Sequence, residues 1–236
     1  MVPLRDENPT KITPYVTYGL IAANILAFLY ELSLPPQQLE QFFHLAAIVP
    51  RELTASLQGI PVNQPVPELL TLVSSQFLHA GFTHLLGNML FLWIFGNNVE
   101  EALGHVKFLI FYLTCGVLAG LAQWFFSAGS AIPSLGASGA IAGVLGAYIL
   151  RYPQAKILTA FGFFFLYVPA YFFLGLWFVQ QAFYGIASLN APANVGMESG
   201  GVAYWAHAGG FVFGAILGPL LGLFSAKSAQ SGYEHF

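Results

Sequence analysis

The sequence predicts an all-α integral membrane protein, a bundle of six transmembrane helices, one of them short. Three observations predict it. Of 236 residues, only seven are Lys or Arg and ten are Asp or Glu, which is 7% charged, against about 25% in a typical soluble domain. Apolar residues make up 57% of the chain, and the mean hydropathy is +0.69. The charges are not scattered; they bound charge-free intervals at 12–30, 69–99, 108–150, 157–197 and 199–226. So apolar a chain does not stay disordered, and so few charges cannot cover the surface of a 25.5 kDa globule. A net charge of −3 without a basic patch excludes a nucleic-acid binder.

Crossing a hydrocarbon core of about 30 Å takes roughly 20 helical residues. The first interval holds one span, about 15–34, with Glu31 near its end. The loop that follows, about 35–68, is long and mixes apolar residues with scattered charge, so short amphipathic helices at the outer interface are expected there. The second interval opens polar (Thr71, Ser74, Ser75, Gln76, His79) and turns apolar near Phe82, which gives a span of about 82–99. The third is too long for one crossing and is interrupted by the Gly- and Pro-containing stretch 127–136, giving spans of about 106–126 and 137–150. The fourth gives a span of about 157–181 and a polar, Gly-rich loop over 190–201; the fifth gives a span of about 202–224. Residues 15–225 then form one helical domain between an N-terminal tail, 1–14, and a C-terminal tail, 226–236.

Six spans put both tails on one side. Arg5, Lys11, Lys107, Arg151, Lys156 and Lys227 all fall on that side, and only Arg51 falls on the other. The positive-inside rule makes the cation-rich face cytoplasmic. Cys115 is the single cysteine, which excludes an intrachain disulfide and reads as a small packing residue.

Polar side chains at membrane depth are costly, and each is a functional hypothesis. His84 and Asn88 are four residues apart and share a helical face. They read either as an interhelical clamp or as two donors for one developing charge. Ser138 opens the short span, where unpaired backbone N–H groups and the positive dipole end favour an oxyanion beside a nucleophile. A serine bonded to its own backbone is the plainer reading. His207 is a structural histidine or a general base. It lies on the face of a Gly210, Gly214, Gly218 ridge, and span four has a matching ridge at Gly139, Ala142, Gly143 and Gly146. If the ridges face each other, His207 approaches Ser138. At 1.5 Å per residue, Ser138, His84 and His207 stand roughly 20–25 Å above the inner ends of their spans, at similar depth.

A serine beside a histidine can serve as nucleophile and base. Asp6, in the N-terminal tail, is the single Asp, and the Glu residues lie outside the spans or at their ends, so a buried Ser-His-Asp triad and a two-aspartate protease are both excluded. The absence of His-Glu-x-x-His excludes that class of zinc protease.

The stretches His79-Ala-Gly-Phe-Thr-His84-Leu-Leu-Gly-Asn88, Gly136-Ala-Ser138-Gly139 and Ala206-His207-Ala-Gly-Gly210, with Phe95-Gly-Asn-Asn-Val-Glu100, resemble the rhomboid family of intramembrane serine proteases. The likeness covers about residues 10–225. It implies a rhomboid-like six-helix bundle whose short central helix carries Ser138 as nucleophile, with His207 as general base. It also implies an oxyanion site formed by the Ser138 backbone N–H, His84 and Asn88, a structural role for His79, and a gate on span five, where Trp177 is the chosen residue. Neither cofactor nor metal is expected. The expected partners are transmembrane protein substrates, which must unwind locally to be cut, and the lipid bilayer. The compact core suggests a prokaryotic plasma membrane. A non-catalytic binder of membrane helices is the alternative, although such relatives usually lack the Ser or the His. Two departures stand out. Leu69-Leu70 lies about where many members have Trp-Arg, and Ala142 stands where some have a Tyr that stacks on the histidine. The second leaves open what orients His207.

Overall fold

The computed structural model describes residues 1–62, 64–189 and 202–225. The expected loop 190–201 and the tail 226–236 lie outside the described residues. In chain order the elements are strand β1 (Val2–Asp6), helices α1 (Tyr15–Ser33), α2 (Pro36–Ala46), α3 (Pro50–Leu57), α4 (Glu68–Ser74), α5 (Phe82–Phe91), α6 (Asn97–Leu103), α7 (His105–Ser127) and α8 (Ser138–Arg151), strands β2 (Lys156–Phe161) and β3 (Phe164–Pro169), and helices α9 (Ala170–Ser188) and α10 (Tyr204–Leu220). One π-helical turn, Leu92–Gly96, joins α5 to α6.

α1, α7 and α9 are each long and apolar enough to cross a membrane, and the bent pair Glu68–Phe77 with Phe82–Leu103 makes a fourth candidate. The protein is a multi-pass membrane protein. α8, with 14 residues, is about 21 Å long, shorter than a hydrocarbon core of about 30 Å. It lies innermost: every residue from Gly139 to Tyr148 is buried. The first loop folds into α2 and α3, short helices with charged or polar residues on one side and Phe43 or Leu53 inward.

The fold is mostly helical, not all-α. β1, β2 and β3 form an antiparallel sheet in that order. The span expected at about 157–181 is therefore a hairpin followed by a helix that begins thirteen residues later than expected, at Ala170. The apolar run Ile157–Val168 satisfied a helix on hydrophobicity alone, because periodicity does not separate a short apolar strand from a helix. Gly162 turns the hairpin at φ +59°, in the left-handed region. Pro169, extended at φ −60° and ψ 143°, ends the strand and starts α9. Phe173 on α9 is buried in the core.

Residues 1–8 are not a free tail. β1 pairs with β2, Val2 opposite Ala160 and Asp6 opposite Ile157. The Tyr148 hydroxyl on α8 donates to Asp6 Oδ2 at 2.5 Å. Burial raises the Asp6 pKa above its ordinary 3.8, and the Tyr148 hydrogen bond opposes that rise. The folded state therefore favours neutral Asp6. This contribution is complete below the unfolded pKa and is lost as pH rises through the raised folded value. Tyr148→Phe removes the opposing bond, so we expect a steeper loss across that window. At neutral pH, breaking a buried hydrogen bond to a carboxylate should cost about 1.5–3 kcal/mol. Thermal unfolding in detergent as a function of pH measures both.

Glu100 organises the same end of the bundle. Its carboxylate accepts from Val16 N at 2.9 Å, Thr17 N at 2.7 Å and Thr17 Oγ1 at 2.6 Å. These are unpaired donors at the N-terminus of α1, where a negative charge is favoured.

α8 and α10 touch backbone to backbone. A Cβ on Gly214 would sit 2.0 Å from Gly143 O, one on Gly146 2.0 Å from Phe211 O, and one on Gly210 2.2 Å from Gly139 O. The two small-residue ridges face each other, and this contact sets the distance between Ser138 and His207.

Candidate active site

Ser138 is the first residue of α8 and His207 lies in the first turn of α10. With the helices in backbone contact, His207 Nε2 stands 2.7 Å from Ser138 Oγ. Both side chains are half-buried and line a cavity of about 1080 Å³. His84, Asn88 and Trp177 line the same cavity. All five residues singled out from the sequence are thus brought together.

α5 presents His84 and Asn88 to this cavity. The imidazole of His84 lies against Gly136, where a Cβ would stand 2.8 Å from its Cε1 and Nε2. Gly136 has φ +124°, a conformation that glycine tolerates and other residues rarely adopt. Its N–H donates to Ser75 O at 2.8 Å, which fixes the turn into α8. Asn88 is buried, and its Nδ2 lies 3.0 Å from His79 Nε2. His79 is itself held by its backbone N–H, which donates to the Glu31 carboxylate at 3.2 and 3.3 Å. His79 therefore orients Asn88 and stacks edge-on against His84, while α1 anchors His79 through Glu31.

Two contacts on His207 were not foreseen. Gln181 Oε1 on α9 lies 2.8 Å from His207 Nδ1. The Trp177 ring, one turn earlier, stacks on the imidazole at 5.7 Å and 30°. Ala142 offers the ring no aromatic stack, and both of these contacts come from α9. Gln181 carried a legible signal, since it is a buried polar residue within a membrane helix. The expected span ended at 181, whereas with α9 at Ala170–Ser188 Gln181 lies well inside the helix. Among the described residues, no three His, Cys, Asp or Glu side chains gather to hold a metal ion.

The Rhomboid domain family profile matches residues 66–224. The chain belongs to the rhomboid family. This rhomboid is 36% identical over 157 residues to Rhomboid protein 1, mitochondrial, of Saccharomyces cerevisiae, a match covering 65% of this chain and 42% of that protein. It is 37% identical over 137 residues to Rhomboid protease GluP of Bacillus subtilis, covering 58% and 24%. With Rhomboid-like protein 11, chloroplastic, of Arabidopsis thaliana it shares 31% over 168 residues, covering 69% and 56%. The matched region spans from about a quarter to just over half the length of these relatives.

Proposed function

We propose that this rhomboid is an intramembrane serine endopeptidase that cuts transmembrane helices of other proteins with a Ser138–His207 dyad. The observation that carries the reading is the 2.7 Å approach of His207 Nε2 to Ser138 Oγ at the wall of an open cavity. His207 takes the Oγ proton as the oxygen attacks the scissile carbonyl, then gives it to the leaving amine. The carbonyl oxygen becomes an anion beside the Ser138 N–H, one of the first N–H groups of α8, which the helix itself does not pair. His84 and Asn88 supply the other donors. The C–N bond breaks to leave an acyl group on Ser138 Oγ; water then attacks that ester as His207 takes its proton, and Ser138 Oγ leaves and regains the proton, freeing the new carboxyl end. No cofactor or metal takes part in these steps.

In this reading six spans cross the bilayer: α1, α5 with α6, α7, α8, α9 and α10. The short α8 places Ser138 below the outer surface. Both termini lie on the cation-rich, cytoplasmic side. The substrate helix enters beside α9 and unwinds locally, since a bond inside an intact helix is out of reach. Trp177 stands on that route. The prokaryotic plasma membrane expected from the compact core draws no support from relatives named for mitochondria.

The test is cleavage of a single-span substrate by purified protein in detergent. Wild type is expected to yield two fragments, with His84→Ala and Asn88→Ala each slower by about 10²–10³ in kcat, the usual loss for one oxyanion donor. A wild-type protein that binds such helices without cutting them would contradict the proposal and identify a helix-binding protein.

A further inference from the structure

A neutral imidazole carries one N–H and one lone pair. Resting on the dyad reading above, His207 acts as base only with its lone pair at Nε2, toward Ser138, and its proton at Nδ1. A third group must hold that proton. In a soluble triad it is a carboxylate. Here the single Asp is Asp6, bonded to Tyr148 through the far end of α8. The group facing Nδ1 is the amide oxygen of Gln181 at 2.8 Å, an acceptor without charge.

We infer that Gln181 is the positioning residue of the dyad: its side-chain oxygen accepts from Nδ1–H, selects the tautomer that leaves Nε2 free, and holds the imidazolium that forms during attack. A neutral amide suits this depth, because a carboxylate there carries a large desolvation cost. Trp177 precedes Gln181 by four residues and so shares its helical face. It presses on the ring while Gln181 holds its edge. Both contacts come from α9, whereas His207 belongs to α10 and Ser138 to α8. The base is therefore oriented only while α9 is seated against α10. A movement of α9 that separates them releases the imidazole from both groups at once.

The experiment reads the tautomer without substrate. Protein labelled with ¹⁵N-histidine is examined by NMR in detergent micelles, and the His207 ring signals are assigned by their absence in His207→Ala. Wild type is expected to show Nδ1 protonated and Nε2 unprotonated. Gln181→Leu and Gln181→Met should show the two tautomers mixed, with kcat lower by about tenfold or more and KM unchanged, short of the loss of about 10⁴ that follows a fixed wrong tautomer. Gln181→Glu, which keeps an acceptor oxygen in either protonation state, should recover the wild-type tautomer and most of kcat while melting lower than wild type, because the buried carboxyl group is costly to desolvate. An unchanged tautomer and unchanged kcat in folded Gln181→Leu or Gln181→Met would overturn the inference and leave the protease reading intact. A tautomer that depends on Gln181 in a protein that never cleaves would overturn the protease reading and leave the positioning role intact.

Discussion

Replacing Ser138 by Ala should lower cleavage of a single-span substrate by about 10⁴–10⁶, to the background rate. The size follows from what the residue does. Without Oγ no acyl-enzyme forms, and only binding and the oxyanion donors remain, which by themselves leave a small fraction of the rate. His207→Ala should fall as far, since Ser138 Oγ then loses the Nε2 acceptor 2.7 Å away. The double variant should be no slower than either single one, because residues that act as a unit are not additive. Single-turnover rates for the three variants measure this. A double variant as slow as the product of the two single effects would separate the two residues into independent roles.

The second large effect is structural. Gly214→Val should destabilise the protein by about 3 kcal/mol or more, the upper end of what overpacking costs. The new Cβ would stand 2.0 Å from Gly143 O and 2.4 Å from its Cα. Those atoms are backbone and cannot rotate away, so α8 and α10 must part. Parting them lengthens the Ser138–His207 contact, which bridges the same pair of helices. Activity should fall together with stability. Gly175→Ala is the control: nothing lies within 4 Å of a Cβ there, and alanine favours helix over glycine. Melting in detergent should place Gly175→Ala at or above wild type and Gly214→Val far below it.

The sequence showed the parts of this fold that depend on where charge is absent. α1 and α7 match the expected spans 15–34 and 106–126 within one residue, and α8 starts at Ser138 and ends at Arg151. The facing Gly ridges were visible as spacing, and with them the meeting of α8 and α10. The hairpin was not visible, because Ile157–Val168 is charge-free and mostly apolar and strand pairing with β1 depends on residues about 150 positions away. Gly162 and Pro169 were the local signs of it. The site divides the same way. His84, Asn88, Ser138, Trp177 and His207 could be picked out as polar or aromatic groups at depth. The link from Gln181 to His207 spans two helices and has no fixed spacing. It became legible only once α9 was moved to Ala170–Ser188. The chain Glu31–His79–Asn88 joins α1 to the oxyanion side in the same long-range way.

The central claim is that His207 makes Ser138 a nucleophile. The most direct measurement is covalent. Purified protein is treated with a fluorophosphonate, and the adduct is located by mass spectrometry of the peptide containing Ser138. Wild type should carry one phosphonyl group on Ser138, and labelling should disappear in His207→Ala while melting stays near that of wild type. An adduct that forms at an undiminished rate without His207, or that sits on another residue, would contradict the account.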